Sequence, residues 1–144
     1  MNKTSENLIN LYNAKGEKHG LWIDYHFNGQ LMEKGHWVNG RKEGYWERYY
    51  SNGQLWWKGH YVNGRKEGLW EGYYFNGQLM EKGHYVNGRQ EGYWEEYYSN
   101  GQLSFKGHFV NGVRQKEKKE VVLTMDEIAK KFNISVEQLK ITKE

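Results

Sequence analysis

The sequence contains neither cysteine nor proline, and it has no long hydrophobic run. Without cysteine there can be no disulfide and no thiol chemistry, which fits a reducing compartment. No run of about 18 apolar residues is present, so no transmembrane helix is predicted. The N-terminal segment, MNKTSENLINLYNAKGEKHG, also lacks the apolar core of a signal peptide. We therefore expect a cytoplasmic protein.

An excess of one charge is also missing. The net charge is +3, and the 21 basic and 18 acidic residues are spread almost evenly along the 144 residues. This distribution argues against a strongly cationic nucleic-acid-binding protein. Hydrophobic residues make up only 37% of the chain, but aromatic residues reach 17%. Disordered chains are poor in aromatic residues, so this composition predicts a thin, folded, aromatic-rich structure.

A 24-residue motif occurs four times in the middle of the chain. The units are Gly20–Glu43, Gly44–Glu67, Gly68–Glu91 and Gly92–Gln115. Each unit holds two Asn-Gly steps, which alternate at spacings of 11 and 13 residues and begin at Asn28, Asn39, Asn52, Asn63, Asn76, Asn87, Asn100 and Asn111. Asn-Gly between short runs of aromatic and β-branched residues predicts a hairpin with a type I′ turn. Each unit is therefore predicted to form two strands.

Eight such strands predict an all-β fold, an elongated single-layer antiparallel meander roughly 40 Å long. Leu8–Asn13 is predicted to add a ninth strand as a partial repeat. In the strand around Gly59, alternation places one set of residues on one face (Leu55, Trp57, Gly59, Tyr61) and a second set on the other (Trp56, Lys58, His60, Val62). Rows of Trp and Tyr three residues apart, such as Trp22 and Tyr25, would lie on opposite faces unless a bulge intervenes. The sequence leaves that question open.

The segment GLWEGYYFNGQLMEKGHYVNGRQEG resembles the MORN repeat (membrane occupation and recognition nexus), and more closely its bacterial variant. The glycine, aromatic and Asn-Gly positions match the residue pattern of the variant repeat in all four units, from about Gly20 to Gly112. The units differ from the standard MORN pattern in carrying Trp where Gly is common, and Lys-Gly-His where Glu-Gly-Glu is common. The resemblance implies hairpin repeats used for binding or scaffolding. It also implies a relation to bacterial antitoxins of toxin–antitoxin pairs.

The rest of the chain divides into two flanking segments. Residues 1–19 form a partial N-terminal repeat or cap, residues 20–115 the four repeats, and residues 116–144 a charged linker and a small helical segment. The linker is predicted over Val113–Glu120. Capping boxes predict short helices near Met125–Phe132 and Val136–Lys140. Their apolar residues are expected to pack together: Ile128, Phe132, Ile134 and Leu139.

This C-terminal segment resembles a helix-turn-helix, and also the middle of a LysM domain. Its second helix is short for DNA binding, and a supporting third helix and base-reading residues are not evident. A complete LysM domain would need a final strand, which only Lys140–Thr142 could supply. We favour a small docking or capping subdomain.

No catalytic or cofactor-binding motif is present, and no cofactor is predicted. Repeated carboxylates such as Glu47 and Glu71 occupy equivalent environments, whereas acid/base catalysis needs two carboxyl groups with different pKa values. Histidines recur only every second strand, about 9–10 Å apart. Zinc ligands must lie about 2.1 Å from one ion, so neighbouring copies cannot share a metal. A non-enzymatic protein without a metal site is expected.

Two sets of residues are candidates for binding. The Lys–His ladder could hold an anionic ligand such as a phosphate-bearing nucleotide or a lipid head group. It comprises Lys34, His36, Lys58, His60, Lys82, His84, Lys106 and His108. Its structural alternative is cross-strand pairing of each lysine with a glutamate.

The aromatic residues form the second set. A single-layer sheet cannot hide all of its rings, and exposed aromatic patches mark interaction sites. The candidates for contact with a protein partner are Trp56, Trp57, Trp46, Trp70, Tyr49 and Tyr73. Trp56 and Trp57 are preferred, because sister units carry Met and Glu there.

The leading hypothesis is a binding module that recognises and neutralises one protein partner, as an antitoxin or inhibitor does. One alternative is a binder of an anionic small ligand or phospholipid head group, such as a phage-encoded sponge for a signalling nucleotide. A second alternative is a scaffold that assembles with itself into homodimers through open sheet edges. Nucleic acid is not an expected partner.

Overall fold

The structure is a computed structural model that describes residues 8–116 and 123–138. Ten strands follow one another along the chain. They are β1 (Leu11–Tyr12), β2 (Lys18–Tyr25), β3 (Leu31–Val38), β4 (Arg41–Tyr49), β5 (Leu55–Val62), β6 (Arg65–Tyr73), β7 (Leu79–Val86), β8 (Arg89–Tyr97), β9 (Leu103–Val110) and β10 (Val113–Arg114). A helix, α1 (Met125–Phe132), and a short 3-10 helix (Val136–Gln138) come after them.

The strands form one open antiparallel sheet in which each strand pairs with its neighbours in the sequence. The predicted single-layer meander is therefore confirmed, with ten strands rather than nine. At about 4.8 Å per strand the sheet is roughly 43 Å wide. Two of the sheet's borders are made of turns, and its two surfaces carry different side chains.

The two kinds of turn differ in conformation. At one border, which we name the narrow rim, two-residue turns begin at Asn39, Asn63, Asn87 and Asn111. Both central residues have positive φ, for example 48° at Asn39 and 74° at Gly40, so the predicted type I′ turns are confirmed here. Residues 38 and 41 pair directly across the turn.

At the opposite border, the wide rim, the prediction of type I′ turns is wrong. There Tyr25 pairs with Leu31, which leaves five residues in the connection. Gly29 is the only one of them with positive φ, and its N–H donates to the carbonyl of His26 over 2.9 Å. Asn28 uses its side chain instead: Oδ1 accepts from Gln30 N–H, and Nδ2 donates to the carbonyl of Ser51 in the next unit. The same dipeptide thus serves two different turns.

The two surfaces of the sheet are named here by their characteristic residues. The tryptophan face carries Trp22, Trp46, Trp70 and Trp94, and the lysine face carries Lys34, Lys58, Lys82 and Lys106. Trp46 and Tyr49 lie on opposite faces, since the Tyr49 hydroxyl donates to Glu47 on the lysine face. This answers the question that the three-residue spacing left open.

Both ends of the sheet differ from its middle. At the N-terminal end, the side-chain amide of Asn10 accepts from Ile23 N–H and donates to Ile23 C=O, so it occupies the free edge of β2. At the C-terminal end, Val113 and Arg114 pair with β9, so the predicted charged linker begins later than Val113. Residues 117–120 of that linker lie outside the described residues. Specific residues thus terminate the repeat at each end.

Helix α1 has the predicted bounds and the predicted capping box between Thr124 and Glu127. The second predicted helix is a 3-10 turn over Val136–Gln138, and Leu139 and Lys140 lie outside the described residues. The expected packing is wrong for Phe132 and Ile134, which are exposed; Ala129 alone is buried in the described part of this segment. No helix among the described residues is long and apolar enough to cross a membrane.

Candidate functional site

The core of the sheet is a row of tryptophan rings that lie on glycines. Trp46 packs on Gly35 and Trp70 on Gly59, in each case with the glycine on the preceding strand. A Cβ atom on Gly35 would lie 2.1 Å from the Trp46 ring, so no larger residue fits beneath it. Trp46 is completely buried and Trp70 is 4% exposed. These two predicted contact residues therefore belong to the core and offer little surface to a partner.

Lysines and further rings cover the buried tryptophans from the solvent side. The Lys42 ammonium lies 3.8 Å from the centre of the Trp46 ring, and Lys66 lies 4.3 Å from that of Trp70. Burial lowers the pKa of both lysines below its usual value. Neighbouring rings meet edge to face at 5.1–6.5 Å in one continuous chain: Trp22, Trp37, Trp46, Tyr61, Trp70, Tyr85, Trp94 and Phe109. A thin sheet is stabilised in this way without a second layer.

A bulge brings Trp56 and Trp57 to the same side of the sheet. Arg48 pairs with Trp57 and Tyr49 with Leu55, so Trp56 has no partner across the strand pair. The Trp56 ring stacks on Tyr50, with ring centres 5.3 Å apart and planes at 22°. The prediction that Trp56 and Trp57 lie on opposite faces is therefore wrong, because the bulge adds one residue and interrupts the alternation.

The two tryptophans border a small cavity of about 70 Å³ on the tryptophan face. Gly72 lies opposite Trp57 in the strand pairing. The equivalent pairs elsewhere are charged on both strands, namely Glu33 with Arg48 and Glu81 with Glu96. The Trp57–Gly72 pair therefore interrupts a row of charges with an apolar patch. Both tryptophans are half-buried, so part of each ring remains available for contact.

On the lysine face, each lysine of the Lys–His ladder forms an ion pair. Lys34 contacts Glu47 at 2.8 Å, and Lys58 contacts Glu71. The last two lysines, Lys82 and Lys106, both pair with Glu95, and each ammonium lies 2.9 Å from one of its carboxylate oxygens. Hydrogen bonds from these two lysines, followed by one from Tyr97, hold the pKa of Glu95 at about 2. This arrangement supports the structural interpretation of the lysines and leaves few of their charges for an anionic ligand.

The remaining predicted residues of this face are engaged in the same clusters. The hydroxyls of Tyr49 and Tyr73 donate to Glu47 and Glu71 at 2.9 and 3.0 Å. Burial, together with the hydrogen bond to Glu47, raises the pKa of Tyr49 to about 12. These tyrosines lie on the face opposite the buried tryptophans, so the predicted aromatic contact residues do not form one surface.

The histidines of the ladder are aligned across the sheet and lie two strands apart. His36, His60 and His84 are exposed, and His108 is half-buried. His60 packs against Tyr45 with ring centres 5.1 Å apart, and His108 packs against Tyr93 at 5.0 Å. His36 and His84 instead lie opposite leucines, Leu21 and Leu69, in the strand pairing.

The narrow rim holds a feature that the sequence analysis missed. Arg41, Arg65 and Arg89 follow the Asn-Gly turns and are exposed. In the part of the chain that the structure describes, none of these guanidinium groups lies within 4.0 Å of a carboxylate; the five ion pairs there all involve lysines. The Asn-Gly-Arg motif, which recurs in the first three units, could have indicated this row of arginines from the sequence.

The comparisons with known proteins agree with this architecture. Four segments, residues 18–39, 42–63, 66–87 and 90–111, match the family described as MORN repeat variant. Each matched segment begins in one strand, continues through a turn at the wide rim and the next strand, and ends at the asparagine of a narrow-rim turn. Together the four segments cover more than half of the chain. The sequence matches none of the curated proteins with which it was compared. MORN repeats are generally binding or scaffold modules, and this chain belongs to the MORN repeat variant family.

Proposed function

We propose that the protein is a non-enzymatic binding module that recognises one protein partner through the patch around Trp56 and Trp57, and that it inhibits this partner in the cytoplasm. The observation that carries the proposal is the placement of these two rings. The bulge in β5 sets them side by side on one face, next to Gly72. Clustered, partly exposed tryptophans are typical of the residues that contribute most to protein–protein affinity.

The patch is also where this chain departs from its own repeat. Sister units carry Met32–Glu33 and Met80–Glu81 at the two positions, and these residues maintain the same sheet. The fold therefore does not require tryptophan at either position. Partly exposed tryptophans that the fold does not require indicate a binding role.

The repeated carboxylates of the lysine face also support a binding function rather than catalysis. Glu47, Glu71 and Glu95 each accept hydrogen bonds from a lysine and a tyrosine, so their environments are alike. Acid/base catalysis by paired carboxyl groups requires environments that differ. The ion pairing of the ladder lysines likewise favours a protein partner over a small anionic ligand.

A capture experiment tests the proposal. The tagged chain is used as bait in extract from its native cells, and bound proteins are identified by mass spectrometry. The test variant carries Trp56→Met and Trp57→Glu, the residues of the sister units. The introduced carboxylate would face Arg48 across the strand pair, as Glu33 does, so the fold should be retained.

We expect one stoichiometric partner, and at least about tenfold weaker binding by the double variant, since loss of a central aromatic contact costs about 2 kcal/mol or more. The control is His60→Gln on the lysine face, which should bind as the wild type does. Thermal melting verifies that both variants are folded. Recovery of the bait alone, or equal capture by the wild type and the double variant, would reject the proposal.

A further inference from the structure

Charge is distributed unevenly across the sheet, although the sequence as a whole is balanced. The wide-rim segments 25–31, 49–55, 73–79 and 97–103 contain no Lys, Arg, Asp or Glu. The narrow-rim segments 15–18, 39–43, 63–67, 87–91 and 111–115 carry eight basic side chains: Lys15, Lys18, Arg41, Lys42, Arg65, Lys66, Arg89 and Arg114. They carry four acidic ones: Glu17, Glu43, Glu67 and Glu91. The narrow rim is therefore the cationic border of the molecule.

Three of the four acidic groups on this rim are already engaged with the backbone. The carboxylates of Glu43, Glu67 and Glu91 each accept the N–H of the asparagine in the following narrow turn, at 2.8 Å. These bonds hold the turns in place and partly satisfy the carboxylates. Among the described residues, the arginines beside them form no ion pair with a carboxylate, and their side chains are exposed.

The exposed arginines border grooves on the lysine-face side of the rim. One groove, of about 450 Å³, is lined by Arg41, Val62, Asn63, Arg65, Glu67 and Asn87. A second, of about 510 Å³, lies between Lys15 and Arg41 and repeats the same Val, Asn, Arg and Glu positions. Each groove thus offers a cation on both sides, an exposed valine and asparagine amides. This combination suits the backbone and side chains of a peptide.

The spacing of the arginines indicates the form of that peptide. Consecutive arginines are two strands apart, which is about 10 Å at about 4.8 Å per strand. In an extended polyproline II segment, which has three residues per turn and rises about 3.1 Å per residue, every third side chain lies on the same face, about 9 Å from the previous one. Acidic residues at every third position would therefore meet Arg41, Arg65 and Arg89 in turn.

A nucleic acid fits this rim less well. Each strand of a duplex carries one phosphate per 3.4 Å of helix axis, a much shorter repeat than the arginine spacing of about 10 Å, so several phosphates would fall between successive arginines, beside the glutamates. Binding of single strands also uses aromatic platforms on which bases stack. The two lysine-face grooves are lined by no aromatic ring. The rings that border a further groove beside Arg41 and Arg65, Trp37 and Tyr61, meet Trp46 edge to face on the tryptophan face and so offer no open stacking platform on the lysine-face side.

We propose that the narrow rim binds an extended acidic segment of a protein, with Asp or Glu at every third residue, through Arg41, Arg65 and Arg89. The inference deepens the proposed function and rests on it, because it adds a second contact for the same kind of partner. The rim and the Trp56–Trp57 patch lie on different parts of the sheet, so each can be tested without the other.

The test uses a fluorescent peptide of about 13 residues with Glu at every third position, and a control peptide of the same composition with its Glu residues in one block. Affinities for the full-length chain are measured by fluorescence anisotropy at low and high salt. At low salt we expect the spaced peptide to bind at least about fivefold more tightly than the blocked peptide. Its affinity should fall at high salt, because salt screens the charges. Arg65→Glu should reduce this affinity at least about tenfold.

The matched control is Lys130→Glu, which makes the same change of charge on α1 at a residue that lines neither groove. The affinity of this variant for the spaced peptide should stay within about twofold of that of the wild type. Circular dichroism establishes that both variants are folded. Equal binding of the spaced and blocked peptides, or no effect of Arg65→Glu, would overturn the inference. Tighter binding of a thymidine oligonucleotide than of the spaced peptide would overturn it in favour of nucleic acid. Failure of the peptide while partner capture still depends on Trp56 and Trp57 would reject this inference alone.

Discussion

Replacing Gly59 by alanine tests whether the buried tryptophan row depends on the glycines beneath it. A Cβ atom at this position would lie 2.3 Å from Cδ2 and Cε2 of Trp70. This distance is far shorter than van der Waals contact, so the indole would have to move. Trp70 is buried, and its Nε1 donates a 3.1 Å hydrogen bond to the carbonyl of His60. Movement of the ring therefore disturbs both packing and a hydrogen bond.

The expected cost follows from these two contributions. Overfilling a packed core costs about 1–3 kcal/mol, and a hydrogen bond of this kind contributes about 0.5–1.5 kcal/mol. We expect Gly59→Ala to lower the free energy of unfolding by about 2–4 kcal/mol. Urea unfolding followed by tryptophan fluorescence measures this loss. The slope of the transition shows whether the variant still unfolds in the same cooperative unit.

Gly107→Ala is the matched control, because the last unit lacks the covering tryptophan. There the end of the Phe105 ring, atom Cζ, would lie 2.3 Å from the new Cβ atom. Phe105 is only half-buried and can rotate outward, so we expect a loss below about 1 kcal/mol. Combining Gly59→Ala with Trp70→Phe should cost less than the sum of the two single changes. Equal losses for the two alanine variants would refute this account of the core.

Two further predictions concern acid stability and the C-terminal helix. Hydrogen bonds from Lys82 and Lys106 hold the pKa of Glu95 at about 2, below its ordinary value of 4.5. Because the folded-state pKa is lowered, this stabilisation is present above about pH 4.5 and is lost as the pH falls towards 2. Glu95→Gln should thus lose less stability than the wild type between pH 7 and 3 in urea titrations; identical losses would contradict the prediction. Thr124→Ala should destabilise α1 by about 1 kcal/mol, seen as faster amide exchange in α1 with unchanged exchange in the strands; unchanged α1 exchange would contradict it.

Much of the fold could be predicted from the sequence because the same strand and turn residues recur in four units. Asn-Gly steps mark eight of the nine connections between strands, all except that between β1 and β2, and the Thr124 capping box predicted the start of α1. The turn type could be predicted at only one rim. At the wide rim Tyr25 and Leu31 pair across five residues, and the side chain of Asn28 bonds to the following unit. The dipeptide alone contains no information on that longer-range bond.

The candidate site was predictable in part. Trp56 and Trp57 were chosen from the sequence because they replace the Met and Glu of two sister units. The structure places both in one partly exposed patch. Their shared side could not be predicted, since it depends on a bulge that strict alternation does not reveal. Burial of Trp46 and Trp70 depends on the glycine of the preceding strand, which is a contact between strands rather than a property of either segment.

The residues that all units share and those that differ have separate roles in this chain. The shared Trp, Gly and Asn-Gly positions build the sheet, so their recurrence is explained by the fold. At the C-terminal end, Phe105 differs from the Met and Glu pattern of two sister units and lies over Gly107. It covers the glycine that a tryptophan of a further unit would otherwise cover. Arg114 in turn covers Phe105, with its guanidinium carbon 3.7 Å from the ring centre. Asn10 on the edge of β2 and the Phe105–Arg114 pair on β9 and β10 depart from the repeat at the two ends of the described sheet. Such end residues act as caps, and they favour a sheet of fixed length over open-ended addition of further units.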